Sequence, residues 1–162
     1  MEFILFIGFI ILQRITELVI SKKNEIWLRA QGAIEYGQGH YILIVILHTL
    51  FIVSLITEYL YSGSLHTDIL FLVIYLLLVA VKVWVISSLC RYWNTKIFRV
   101  PNAPLIKTGP YKLVKHPNYI IVVCEIGIIP LVFHLYYTAI IFSVLNAVML
   151  YIRIREENKV LV

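Results

Sequence analysis

Ile69-Leu-Phe-Leu-Val-Ile-Tyr75-Leu-Leu-Leu-Val-Ala-Val-Lys82-Val-Trp-Val-Ile-Ser-Ser-Leu89 is a run of twenty-one residues with one charge. At about 1.5 Å per residue a helix of that length crosses the ~30 Å hydrocarbon core of a bilayer, and the run holds no glycine or proline to break it. Two similar runs, Phe3 to Ile20 and Tyr41 to Leu60, precede it. The apolar tract that follows, Tyr119 to Ile152, is too long for one span and is interrupted by Pro130 and His134. It is predicted to be a tight hairpin of two short helices. Over the 162 residues, 61% are hydrophobic and the mean hydropathy is +0.91, outside the range of soluble globular domains. The expected fold is an all-α integral membrane protein: five transmembrane helices with the N-terminus outside, a proline-rich cytoplasmic loop and a short C-terminal cytoplasmic helix. No repeat, low-complexity tract or linker divides the chain, which reads as a single membrane domain over residues 1–162.

Lysines and arginines in short loops stay on the cytoplasmic side. Lys22, Lys23 and Arg29 follow the first span; Arg91, Lys96, Arg99, Lys107, Lys112 and Lys115 follow the third; Arg153, Arg155 and Lys159 follow the last. The loops around Gly63 and His134 have none, so charge alternates as five spans with an external N-terminus require. The expected location is the plasma membrane, multi-pass, with the charged face toward the cytoplasm. The net charge of +5 is thereby a topological and anionic-lipid signal, and nucleic acid is not an expected partner. The first segment lacks a basic start and a small-residue cleavage site and is expected to be a retained span. Cys90 and Cys124 lack metal-type spacing, so they are expected to be small apolar fillers and no metal is expected.

Four of the five prolines, Pro101, Pro104, Pro110 and Pro117, fall in the second cytoplasmic loop, which therefore cannot be one helix. Irregular backbone at membrane depth must be covered by protein or line a cavity, and a ligand cavity satisfies that demand. The first cytoplasmic loop, Ser21 to His40, is predicted to be a short interfacial helix followed by a turn at Gly32, Gly37 and Gly39. Within the spans, Arg14 lies six residues from Ile20, Lys82 seven from Leu89, Glu125 six from Tyr119 and Asn146 six from Ile152. By helical rise all four sit about 9–10 Å below the cytoplasmic boundary. A lipid-facing charge at mid-bilayer costs at least ~2.5–3.5 kcal/mol, so these side chains are expected to form a polar layer. Arg14 has an i, i+3 partner in Glu17, while Lys82 either snorkels to the surface or neutralises Glu125 across the third and fourth spans. His48 is expected nearer the outer surface, in a structural role.

Two junctions carry chemistry. In Lys115-His116-Pro117-Asn118-Tyr119 the proline disfavours helical geometry at His116 and suits the first position of the next helix. The imidazole and the free amides of the helix start then point at one place, where a carboxylate or hydroxyl-rich ligand is favoured. In Arg153-Ile-Arg-Glu-Glu157, Arg153 and Glu157 share a helix face at i, i+4 and offer a cation beside a carboxylate. Read alone, that pair is better taken as an ordinary positive-inside flank with a surface ion pair; together with the proline-rich loop it reads as part of a site.

Arg91-Tyr92-Trp93, Pro101-Asn-Ala-Pro104-Leu-Ile-Lys-Thr-Gly109-Pro110-Tyr111, the His116-Pro117-Asn118-Tyr119 junction and Arg153-Ile-Arg-Glu156-Glu157-Asn-Lys-Val-Leu161 together resemble the isoprenylcysteine carboxyl methyltransferase family. Gln13-Arg14-Ile-Thr-Glu17-Leu18 further resembles a bacterial branch associated with lipid-like polyketides such as alkylpyrones. The resemblance implies an S-adenosylmethionine-dependent O-methyltransferase with a cytoplasm-facing cofactor pocket and a lipophilic substrate entering from the bilayer. It divides the chain into three N-terminal helices, 1–90, and a catalytic subdomain, 91–162. It implies that Tyr111, His116, Pro117 and Tyr119 hold the cofactor with Glu156 as a further acceptor, and that Arg153 and Glu157 are catalytic. Lys115 stands where the family usually has arginine, and Ile120 and Ile121 follow Tyr119 where a glycine is common. The first departure weakens a bidentate contact and the second leaves less room for close backbone approach.

Two other readings compete. Membrane sterol or enone reductases using NADPH share the His-Pro-x-Tyr junction, but their usual aspartate, cysteine and lysine-tyrosine tail pattern is absent here. A small transporter would use the polar layer as a substrate or proton path, and would leave the proline-rich loop without a purpose.

Overall fold

A computed structural model describes residues 1–63, 66–101, 103, 104 and 106–160, with the backbone alone at His40. Asn102, Leu105 and Leu161, which belong to the motifs quoted above, lie outside the described residues. Five helices carry the fold: α1 (Glu2–Ala30), α2 (Gln38–Ser62), α3 (Ile69–Leu89), α4 (Pro117–Leu131) and α5 (Tyr136–Val160). Four of them are long and apolar enough to cross a membrane; α4, at 15 residues, is shorter, about 22 Å along its axis. Leucines, isoleucines and valines on the outer faces are largely exposed, as surfaces in contact with lipid tails would be. The chain is a multi-pass membrane protein.

The predicted α3 has the observed bounds, because Asp68 caps it by accepting from the amides of Leu70 and Phe71 and because the backbone turns sharply at Cys90. The hairpin after Tyr119 is also present. Pro130 falls in the last turn of α4, and His134 adopts a left-handed conformation at the reversal. The second arm is not short, however. No glycine or proline interrupts residues 136–160, so α5 runs on through the charged tail, and the expected separate C-terminal helix is its last two turns. The start of α5 is capped by Glu58 of α2, whose carboxylate accepts from the amides of Tyr137 (3.1 Å) and Thr138 (2.7 Å). α4 packs between α3 and α5, and α5 also packs on α2.

Two further expectations are corrected. The segment after Ile20 is not a separate interfacial helix, since α1 continues unbroken to Ala30. Ser21, Asn24, Glu25 and Leu28, spaced along one helix face, are all buried, and that burial keeps the helix going beyond the apolar run. The fold is also not purely helical: β1 (Ile34–Tyr36) pairs antiparallel with β2 (Ile97–Arg99), Glu35 opposite Phe98. Strands of three residues leave no alternation long enough to read.

The polar layer exists and is denser than expected. Glu125, with no exposed surface, accepts from Lys82 Nζ at 2.6 Å, Gln13 Nε2 at 3.0 Å and Arg14 Nη2 at 3.1 Å. Glu17 accepts from Arg14 Nη1 at 3.1 Å and Gln13 Nε2 at 3.1 Å and pairs with Lys82 at 2.7 Å, while Tyr75 donates to Gln13 Oε1. Two carboxylates and two cations thus neutralise one another inside the bundle. Lys82 does not snorkel: it bridges α1 and α4. His48 is misplaced by the sequence reading. Helix α2 starts at the same end as the Tyr119 end of α4, so seven residues from Tyr41 brings His48 to the level of Arg14, and both line one cavity.

Candidate active site

The continuation of α1 is the strut for the segment after α3. Asn24 donates to the carbonyls of Cys90 (3.1 Å) and Trp93 (2.6 Å), and Ser21 bonds the side chains of Asn94 and Thr95. Lys96 then bridges Glu25 and Glu35 at 3.2 and 3.4 Å. Burial lowers the pKa of its ammonium, but the hydrogen bond to Glu25 and the Glu35 charge outweigh that, so the net shift is upward and the cation is retained. These contacts fix Trp93, Asn94, Thr95 and Lys96, which form one wall of the site. None was assigned to the site from the sequence, although Trp93 stands in the Arg91-Tyr92-Trp93 motif and Lys96 among the basic loop residues.

His116 caps α4 with Pro117 at the first helical position, as expected. Its ring stacks on Tyr119 (centroids 5.2 Å apart), its Nδ1 lies 3.5 Å from Glu157, and its Nε2 lies 3.3 Å from Asn158 Oδ1. The Tyr119 hydroxyl donates to Glu157 and accepts from Arg153 Nε at 2.7 Å. Arg153 Nη2 donates to the Thr95 carbonyl at 2.5 Å, which ties α5 to the loop. Arg153, Tyr119, Glu157 and His116 are therefore one connected cluster drawn from α4 and α5.

Around this cluster lie two cavities with a common wall. The first, about 110 Å³, is lined by Tyr111, Lys115, His116, Tyr119, Arg153 and Glu157, with Trp93 to Phe98 opposite. It continues into a groove of about 560 Å³ under the proline-rich segment, which shares Tyr111, Lys115 and Glu157 with it. The second, about 90 Å³, runs deeper between α2 and α5 to the polar layer, bounded by Arg14, Glu17, His48 and Asn146 and by apolar Ile44, Leu47 and Met149. Trp93, Asn118, Tyr119 and Arg153 line both. The Oδ1 atom of Asn118 is buried and has no hydrogen-bond partner among the described residues.

The structure thus gathers Tyr111, His116, Tyr119, Arg153 and Glu157 around one space, with Pro117 buried at the helix start beside it. Glu156 faces an adjoining small pocket with Glu35, Tyr41, Lys96 and Arg153, and pairs with Lys159 at 2.6 Å. Burial, reinforced by the Glu157 carboxylate, raises the Tyr111 hydroxyl above the usual tyrosine range, so it stays a proton donor at physiological pH. Tyr111 is held by a tight turn at Gly109–Lys112, where Gly109 has a positive φ of 52° and a Cβ would stand 2.2 Å from Ser88 Oγ. Gly109→Ala is expected to destabilise the protein by about 1–3 kcal/mol. The check is thermal unfolding in detergent beside a control substitution at Gly39, where a Cβ meets nothing within 4 Å.

Residues 69–162, which hold the hairpin, the proline-rich segment and the tail, match the model of the isoprenylcysteine carboxyl methyltransferase (ICMT) family. The chain belongs to that family. The match begins at α3 and takes in Lys82 and Glu125 as well as the His116 and Arg153 cluster. Full-length similarity extends further: the chain is 44% identical over 161 residues to the uncharacterized protein YpbQ of Bacillus subtilis (strain 168), covering 98% of this chain and 96% of the relative. An uncharacterized protein of Haemophilus influenzae is 30% identical over 148 residues, covering 90% and 86%. No solved structure matches. As a member of the ICMT family, the chain carries the signature of a membrane methyltransferase.

Proposed function

We propose that this protein transfers a methyl group from S-adenosylmethionine to an oxygen of a lipid-like acceptor, a carboxylate, enol or phenol, at a site facing the cytoplasm of the plasma membrane. The observation that carries this reading is the Arg153–Tyr119–Glu157–His116 cluster at the shared wall of a polar cavity and a deeper, partly apolar one. The chemistry of the donor set fits the cofactor. Lys115 offers a cation for a carboxylate, Glu157 accepts from an ammonium or hydroxyl, the Tyr111 and stacked His116–Tyr119 rings offer flat faces, and Asn118 Oδ1 lacks a donor. The first cavity with its groove is also in the few-hundred-Å³ range typical of small-molecule sites. Pro117 shapes the helix start, and Glu156 supplies an acceptor along the edge.

When bound, S-adenosylmethionine supplies an electrophilic methyl on a cationic sulfur. The protein's part is alignment and exclusion of water. Arg153 has Nη1 uncommitted among the described residues, since Nε and Nη2 are engaged by Tyr119 and Thr95, and it is suited to hold an acceptor oxygen at the common wall. Glu157 keeps Tyr119 oriented and remains beside the same wall. The half-buried rim at Ile44, Met149 and Leu150 suits an acceptor tail that stays in lipid. The external N-terminus is part of this proposal, supported by the basic residues gathered at the site's end of the bundle.

The family match favours methyl transfer over the NADPH-dependent reductase and the transporter. Purified protein incubated with methyl-radiolabelled S-adenosylmethionine and a bacterial lipid extract is expected to move label into a solvent-extractable product. Absence of any labelled lipid, together with oxidation of NADPH by the same extract, would reverse the choice.

A further inference from the structure

Between Asp68 and Glu125 the chain has no acidic residue and seven basic ones. Lys82 is neutralised by Glu17 and Glu125, Lys96 by Glu25 and Glu35, and Lys115 belongs to the first cavity. Arg91, Lys107 and Lys112 are exposed and make no ion pair with a described residue. Directly after Lys112 the chain turns its apolar side chains outward: Leu113 is 83% exposed and Val114 40%. The depth of this segment is fixed by α3. Thr108 Oγ1 donates to the carbonyl of Ser88 in the last turn of α3 at 2.7 Å, and a Cβ on Gly109 would stand 3.4 Å from the indole nitrogen of Trp84. Trp84 is itself 53% exposed near the end of a span, where indoles mark the boundary between membrane and water. At the same end Trp27 and Tyr92 meet edge to face with ring centroids 5.1 Å apart, and Arg91 lies 5.9 Å over the Trp27 ring. An apolar tip, flanking cations and aromatic rings at one level suit a segment lying among lipid headgroups. An acidic protein or a nucleic acid would satisfy the cations and leave Leu113 in water.

We infer that residues 107–115 form a docking surface for anionic phospholipid, with Leu113 seated among the upper acyl chains and Lys107, Lys112 and Arg91 against the headgroup phosphates. Charge complementarity carries the choice of partner, since a segment with three free cations and no acid is matched by an anionic surface and repels a cationic one. The contact also bears on the site. Lys107, Lys112, Leu113 and Val114 edge the groove of about 560 Å³ that continues from the first cavity. Lipid bound on their outer side holds that edge in place, so anionic lipid strengthens cofactor binding in the groove. This second step rests on the methyltransferase reading, whereas the lipid contact does not.

The test places the full-length protein in nanodiscs of phosphatidylcholine, alone or with roughly one-third phosphatidylglycerol, and follows hydrogen exchange of the amides in 107–115. Each basic residue at an anionic surface is worth about fivefold in partitioning. Phosphatidylglycerol is therefore expected to slow exchange in this segment at least about fivefold, and about 0.5 M sodium chloride to remove most of that gain. Combining Lys107→Gln with Lys112→Gln is expected to abolish most of the slowing, and Leu113→Ser to lose protection in both lipids. Identical exchange of the wild type in the two lipids would overturn the inference, as would slowing that survives undiminished in the double variant. Equal slowing by soluble polyglutamate in phosphatidylcholine nanodiscs would overturn it in favour of an acidic protein partner. Titration with S-adenosylmethionine in the same nanodiscs is expected to show about fivefold tighter binding with phosphatidylglycerol, a gain that the double variant lacks. Slowed exchange with unchanged cofactor affinity would overturn the coupling to the groove. Slowed exchange without any cofactor binding in the wild type would instead overturn the methyltransferase reading and leave the docking surface standing.

Discussion

Glu125→Ala is expected to lower the unfolding free energy by about 3–5 kcal/mol. Glu125 is fully buried and accepts from Lys82, Arg14 and Gln13. Its removal leaves two cations sharing Glu17, and the excess positive charge cannot reach water from inside the bundle. The control that isolates charge balance from packing is Lys82→Met combined with Glu125→Leu. That double substitution restores neutrality with similar side-chain volumes and is expected to recover more than half of the loss. Equal destabilisation of the double and single variants in denaturant titrations would show that geometry rather than charge pairing sets the stability of this layer.

Arg153→Ala is expected to reduce methyl transfer by about 10²–10³-fold while largely retaining cofactor binding, because the guanidinium sits at the wall between the two cavities. Arg153→Lys is expected to recover little of it. A lysine offers one nitrogen where Arg153 holds the Tyr119 hydroxyl and the Thr95 carbonyl from two and keeps a third for the acceptor. Single-turnover transfer and equilibrium binding of S-adenosylmethionine, measured on the same samples, separate the two effects. Full activity in either variant would remove Arg153 from the chemistry.

What the sequence made legible follows from how long each signal is. The α3 bounds could be read because a twenty-one-residue apolar run admits few alternatives and Asp68 marks its start. The polar layer was legible because four chemically unlike residues share a depth, and the structure joins three of them, Arg14, Lys82 and Glu125, through direct contacts. Asn146 lies on the cavity at the same level without joining the ion pairs. The same depth rule would have located His48 had α2 been counted from its Tyr41 end as a cytoplasmic start. The β1–β2 ribbon was hidden by its three-residue strands, and the extension of α1 by the absence of apolar periodicity in a stretch held by Ser21, Asn24 and Glu25. Those polar side chains reach residues some seventy positions away, a pairing that local pattern cannot reveal. Four of the site residues, His116, Tyr119, Arg153 and Glu157, stood in two short motifs brought together by the α4–α5 hairpin, while Tyr111 comes from the turn at Gly109–Lys112.

That meeting is tested most directly by titrating purified protein with S-adenosylmethionine in an isothermal calorimeter. The arrangement of His116, Tyr111 and Glu157 around one cavity predicts saturable binding at a single site, weakened at least tenfold by His116→Ala and unaffected by Glu58→Ala at the far end of the bundle. Absence of saturable heat from folded wild-type protein, or equal affinity in the His116 variant, would contradict it.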